Sequence, residues 1–154
     1  MCWQSTNINL QVSDGNVKVT KICRLVNKTK IVGCYFTNFQ YELNEKYTQK
    51  MHITCKANQY FGNEGFHSYS TDKCKVDISK GTKLNYTYKC IRVHSPKQNW
   101  VASYYTRLTG KPKPTLAVVN GYIPKGMKYS INENGEIISE GIILTEIASI
   151  VTTK

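Results

Sequence analysis

A chain of 154 residues, 40% hydrophobic and 11% aromatic, is long enough for one ordinary domain or two very small ones, and too apolar to be disordered throughout. Its 21 Lys and Arg against 10 Asp and Glu give a formal charge of +11, a field that attracts nucleic acid, sulfated glycan, acidic membrane or acidic protein. No run approaches the roughly 18 apolar residues that would read as a membrane span.

Tyrosine is over-used, with 11 copies, and Ile, Val and Thr are plentiful; such residues suit pleated, half-buried strands. The opening MCWQSTNINLQ has neither the apolar stretch nor the basic start of a signal peptide, and is read as a mature N-terminus behind an added Met1. NVKVTKICRLV then places Val17, Val19, Lys21, Cys23 and Leu25 on one side of a strand. KIVGCYF, YTQKMHITCKA, KVDIS and LNYTYKCIRV repeat this alternation. NFQYELNEKYTQK, residues 38–50, is the one passage with helical spacing, through Phe39, Leu43 and Tyr47, and predicts at most one short helix. Beyond HSPKQNW, strands are predicted at WVASYYTRL, TLAVVNGY, KYSIN and EIISEGIILTEIASIV. Asn120-Gly121 and Asn134-Gly135 are read as hairpin turns. Pro112 and Pro114 cannot stay in a central strand.

The six cysteines, Cys2, Cys23, Cys34, Cys55, Cys74 and Cys90, all precede residue 91, and no two are closer than 11 residues. Zinc ribbons and fingers need far shorter spacings, so no metal and no cofactor is expected. An even count at wide spacing predicts three disulfides among 15 connectivities, and with them an oxidising, extracellular location. Cys23, Cys55 and Cys90 fall on the apolar sides of their segments and are expected to point into the core. The sequons Asn27-Lys28-Thr29 and Asn85-Tyr86-Thr87 agree with secretion. The cysteine distribution divides the chain into a cysteine-bearing β part, 1–92, and a cysteine-free β part, 93–154, on one composite domain. The fold class predicted is mainly β, a disulfide-stapled antiparallel sandwich.

TRLTGKPKPTLAVVNGYIPKGMKYSINENGEIISEGIILTEI resembles the middle of an intermediate-type immunoglobulin repeat, with its GxPxP turn, its Asn-Gly hairpin and its later alternating strand. The resemblance covers about a quarter of the chain and implies an immunoglobulin-like sandwich. Thr106 and Val118 stand where that family places its core cysteine and tryptophan.

Two stretches carry candidate chemistry. In CKANQYFGNEGFHSYSTDKC, residues 55–74, His67 beside Ser68 or Ser70 suggests a serine nucleophile with its base, although no GxSxG elbow exists. His52, Lys56, His67 and His94 suggest phosphodiester cleavage. CKANQYF and SYSTDKC resemble fragments of secreted pancreatic-type ribonucleases, which implies histidine acid–base chemistry; that family needs a histidine near its C-terminus, and here 60 residues follow His94. SYST also resembles the Ser-Thr strand of ADP-ribosylating toxins, with Arg24 before it and Glu136 after, but Asn134 stands where the second acid belongs. The composition of this stretch, rich in Tyr, Ser, Asn and Gly, is that of a recognition loop on a rigid scaffold, with Gly62 and Gly65 at turns. In PKQNWVASYYTRLTGKPKPT, Trp100 and Tyr104 alternate with Lys97, Arg107, Lys111 and Lys113, pairing rings for bases or sugars with cations for phosphate or sulfate.

These features predict a secreted, non-enzymatic recognition protein, such as an adhesin, immune-modulating factor, toxin-binding subunit or inhibitor. Its partner is an extracellular protein or glycan, sulfated glycan and nucleic acid included. Binding is assigned to Lys97, Trp100, Tyr104, Arg107, Lys111 and Lys113, with Tyr60, Phe66 and His67 from the earlier stretch. The alternative is a small basic toxin or nuclease using its histidines as acid and base.

Overall fold

The computed structural model describes residues 3–27, 30–33, 39–72, 76–77, 85–86, 110 and 115–151. Every paired strand among them is antiparallel, and none of these residues is helical. In chain order the strands are β1 (Trp3–Ser5), β2 (Gln11–Val12), β3 (Val17–Val26), β4 (Lys30–Val32), β5 (Gln40–Tyr41), β6 (Lys46–Thr48), β7 (Met51–Lys56) and β8 (Gln59–Glu64). They continue with β9 (Phe66–Ser70), β10 (Val76–Asp77), β11 (Asn85–Tyr86), β12 (Leu116–Ile123), β13 (Lys128–Ile131), β14 (Glu136–Ser139) and β15 (Gly141–Val151). The main sheet runs β2-β13-β14-β9-β3-β12-β15-β6, with β4 and β5 branching from β3. A small sheet, β1-β8-β7, and the pair β10-β11 are separate.

The alternation read from the sequence sets the core. Val19, Cys23 and Leu25 of β3 share one face of the main sheet with Ala117, Val119 and Ile123 of β12, Ile137 of β14, Leu144 of β15 and Phe66 of β9. At the β6 edge, Tyr47 lies 5.3 Å from Tyr41 of β5, and Phe39 links both to Phe66 at 6.0 Å. Rings from the β6 edge and from the β4-β5 branch thus meet over this face, so the sheet curls around one core. The immunoglobulin-like sandwich suggested by the sequence is not confirmed, and the buried cluster described here lies on one face of the main sheet. The small sheet packs on the opposite face, where Trp3 is 2% exposed and lies with Ile138 against Gly62. The indole Nε1 of Trp3 donates to the Glu136 carbonyl at 2.8 Å, tying β1 to β14.

Several expectations change. Within the passage 38–50, Gln40–Tyr41 and Lys46–Thr48 form β5 and β6, and none of its described residues is helical, because Phe39, Tyr41 and Tyr47 pack against Phe66 and one another as strand residues do. Residues 59–70 are strands β8 and β9, so the stretch read as a loop is mostly ladder. The hairpin into it turns on Ala57 and Asn58, both with positive φ (53° and 60°), between the paired Lys56 and Gln59. This is the type I′ geometry without its usual glycine. Gly62 lies in mid-strand beneath Trp3, whereas Gly65 does take positive φ, where the chain crosses from the small sheet to the main one. Asn134-Gly135 makes the expected hairpin. Gly135 has φ 77°, and the Asn132 side chain accepts from the backbone N–H groups of Asn134 and Glu136 at 2.9 Å each. Asn120-Gly121 makes no turn. It lies inside β12, where the pairing with β15 slips by one residue.

The disulfide framework is also corrected. Cys23 and Cys55 are free thiols. Cys23 is fully buried beside Ala117, whereas Cys55 is exposed on β7 of the small sheet, so the two occupy different layers and Cys55 does not point inwards. Burial pushes the Cys23 thiol up to about 11. Cys2, Cys34, Cys74 and Cys90 lie outside the described residues, as does the division between the predicted parts 1–92 and 93–154.

Candidate binding groove

The binding residues predicted at Lys97, Trp100, Tyr104, Arg107, Lys111 and Lys113 lie outside the described residues. The other three fall on two different sheets. Phe66 is 3% exposed and packs in the core cluster. Tyr60 is half-buried on β8, paired with Ser5 and Cys55. His67 is half-buried on β9 opposite Ile138, on the face that carries the small sheet. Burial lowers its pKa to about 4, with the Lys21 charge adding to the effect. Lys21 lies where β9 stops pairing with β3, and its ammonium donates to the His67 carbonyl at 2.6 Å. It fills a gap in the ladder that would otherwise leave that carbonyl unpaired.

The same strands place the described residues of the catalytic readings of 55–74. Successive strand residues point to opposite faces. Ser68 and Ser70 therefore lie on the core face, away from the His67 ring, and Ser68 Oγ is buried with no hydrogen-bond partner. Neither Ser68 nor Ser70 is placed for His67 to deprotonate. His52 and Lys56 lie exposed on β7 of the small sheet, a different layer from His67. His94 lies outside the described residues.

The residues that do converge come from elsewhere. On the face of β3, β12 and β15 opposite the main core is an open groove of ≈ 410 Å³ lined by Lys18, Thr71, Asn120, Tyr122, Thr145 and Glu146. Gly15 and Asn16 form one wall. That wall is fixed by Ser13, whose buried hydroxyl donates to the Ile123 carbonyl at 2.7 Å and accepts from Gly15 N–H at 3.0 Å. The groove floor follows from ladder register. Thr20, Asn120 and Glu146 are cross-strand neighbours, and Lys18 and Tyr122 form the next row. At the slip in β12 pairing, Thr145 is the extra residue, and its hydroxyl donates to the Asn120 carbonyl at 3.2 Å.

The floor is joined by a directed chain of hydrogen bonds. Asn120 Nδ2 donates to Glu146 Oε1 at 3.2 Å, and Thr20 Oγ1 donates to Asn120 Oδ1 at 3.1 Å. A hydroxyl carries one proton. With the Thr20 proton spent on Asn120, the 3.0 Å contact between Thr20 and Thr71 must run from Thr71 to Thr20. All three bonds therefore point towards the carboxylate, an arrangement in which each bond polarises the next. Thr71 and Thr145 have both spent their protons inside the protein. Towards a ligand these hydroxyls and Glu146 offer acceptors only, while Lys18, Tyr122, Asn16 and the second Asn120 N–H supply donors.

Sequence reasoning missed this site. Its residues are outward-facing polar positions of strands, the ordinary condition of such positions, and their partners lie 26 to 100 residues away. Among the described residues, no cluster of three or more His, Cys, Asp or Glu could hold a metal ion, and no helix is long and apolar enough to cross a membrane. The chain matches no protein-family model, no curated protein and no solved structure in the comparisons made.

Proposed function

We propose that this chain is a non-enzymatic recognition protein, secreted in its working form, whose groove on β3, β12 and β15 takes a carbohydrate. The observation that carries this reading is the directed chain Thr71–Thr20–Asn120–Glu146. It leaves a groove in which the threonine hydroxyls and a carboxylate can only accept, so a matching ligand must donate from several points. A polyol does so, and each hydroxyl can also accept from Lys18 or from the second Asn120 N–H. Tyr122, half-buried in the groove, offers a rigid ring with a polar tip, suited to the apolar face of a sugar.

The groove residues argue for binding over turnover. They include one carboxylate and no histidine or cysteine. Glycoside hydrolysis ordinarily uses two carboxyl groups roughly 5–9.5 Å apart. A secreted location accords with the exposed Asn27 of the sequon Asn27-Lys28-Thr29, next to the end of β3. The charge of +11 supports a partner that is anionic as well as glycan-bearing.

The test is a two-dimensional NMR titration of the labelled protein with a panel of disaccharides, for which a Kd on the order of 1 mM is expected for so open a site. Backbone shifts should concentrate at Asn120, Gly121, Thr145 and Glu146. Asn120→Ala, which breaks the chain in its middle, should weaken binding several-fold while the remaining spectrum stays folded. Saccharides that shift no groove resonance at 10-fold that concentration would refute the reading.

A further inference from the structure

The groove holds two charged side chains, and they lie at opposite ends. Lys18 is on β3 and Glu146 on β15, with β12 between them. Two strand spacings of about 4.8 Å separate them across the sheet, and the two-residue offset between their rows adds about 7 Å along it. The two backbone positions are thus roughly 12 Å apart, more than one sugar ring spans and within the reach of two. Lys18 is exposed, and among the described residues nothing pairs with its ammonium. Glu146 has one oxygen committed to Asn120 and one left for a ligand.

We infer that the groove takes an acidic disaccharide in one orientation. A ring bearing a carboxylate lies at Lys18, and the adjoining ring donates neighbouring hydroxyls to Glu146 and Thr145. This inference rests on the carbohydrate reading above and adds polarity to it. Thr71, at the Lys18 end, accepts a hydroxyl from the acidic ring, because its own proton is committed to Thr20. The ring of Tyr122, next to Lys18 in register, lies under the linkage between the two sugars. A single acidic monosaccharide satisfies one end only, and an acid group at the Glu146 end meets like charge.

The experiment compares a disaccharide containing glucuronic acid with the same disaccharide after its carboxyl is reduced to the primary alcohol, by NMR titration at low and at high salt. An exposed ion pair is worth a modest factor, so the acidic form should bind roughly three- to fivefold more tightly at low salt, with the advantage shrinking at high salt. Lys18→Gln, whose amide still donates, should remove that advantage and weaken the neutral disaccharide less than the acidic one. Glu146→Gln keeps an acceptor for Asn120 but replaces the free carboxylate oxygen with an amide donor, so it should weaken both ligands. Equal binding of the two disaccharides by the unmodified protein would overturn the polarity and leave the carbohydrate reading standing. An acidic preference that persists in Lys18→Gln would likewise overturn it, since the charge would then be read elsewhere. Absence of groove shifts with either ligand would sink both ideas together.

Discussion

His67 makes the fold acid-sensitive, by an amount that can be worked from its surroundings. The imidazole is half-buried on β9, and burial, joined by the charge of Lys21, lowers its pKa from 6.5 to about 4. The folded protein therefore binds fewer protons at this site than the unfolded chain does. A depressed value of this kind means that the stabilisation is fully present above about pH 6.5 and is lost as pH falls towards 4. At about 1.36 kcal/mol per pKa unit the full gap corresponds to ~3 kcal/mol, and the ring's partial exposure reduces this to about 2 kcal/mol. Urea unfolding of the native protein and of His67→Gln, from pH 7.5 to 4, isolates the contribution of His67, because the carboxylates and the other histidines titrate equally in both. The native protein should lose about 2 kcal/mol more than the variant across that range. Lys21→Met should raise the His67 pKa only in part, because burial is the larger cause. An imidazole that titrates between pH 6 and 7 by NMR, or a stability difference that is flat with pH, would refute the reasoning.

Three further outcomes follow from the packing. A Cβ at residue 121 would collide with the Ile143 carbonyl oxygen, which is backbone and cannot swing aside, so Gly121→Ala should cost about 2 kcal/mol or more in chemical denaturation; an unchanged midpoint would mean that β12 and β15 approach less closely. Asn132, 5% exposed, accepts from two turn N–H groups and donates to the Gln4 carbonyl at 2.8 Å, so Asn132→Ala should destabilise by ~2–3 kcal/mol and loosen β1, seen as faster hydrogen exchange at Trp3 to Ser5. Cys55 is an exposed free thiol, and Cys23 is buried with its pKa pushed up to about 11. Iodoacetamide at pH 7.5 followed by peptide mapping should therefore label Cys55 in the folded protein and Cys23 only after denaturant; equal labelling would place Cys23 at the surface.

What could be read from the sequence was the one-dimensional part of the fold. The period-two pattern at Val17, Val19, Cys23 and Leu25 named a face correctly, because burial against neighbouring strands acts on every second residue whatever those neighbours are. Asn134-Gly135 gave its hairpin because only three residues, helped by Asn132, close that turn. The Ala57-Asn58 turn was hidden, since neither residue advertises positive φ as glycine does. Phe39, Leu43 and Tyr47 carry helical spacing, yet Tyr41 and Tyr47 pack edge to face with Phe39 from two short strands. That contact depends on where Phe66 falls in the fold, which local spacing does not encode. For Cys23 and Cys55 the disulfide reading failed on similar grounds. Cys23 and Cys55 do sit on alternating segments, but one segment lies in the main sheet and the other in the outer one.

The pair Asn120-Gly121 shows why the site was the least legible part. Read locally, Asn-Gly between apolar residues is a turn, and a turn there would have ended β12 before Tyr122. In the fold β12 is continuous, and β3 pairs with it along its full length, from Leu116 opposite Arg24 to Ile123 opposite Val17. The ladder to β3 thus outweighs the turn preference. Glycine serves here by the absence of its side chain, which lets the Ile143 carbonyl approach as β15 slips by one residue. That slip adds Thr145 beside Asn120, and Asn120 itself links Thr20 to Glu146. The same two residues that mimic a hairpin therefore bring the groove's acceptors together. A substitution that restored a regular ladder, with alanine at 121 and a compensating deletion of Thr145, should preserve the strand pairing while removing an acceptor from the groove. Saccharide binding would then fall in a protein whose unfolding midpoint is largely recovered relative to Gly121→Ala alone. Binding that survived in such a protein would show that the bulge serves the fold and not the groove.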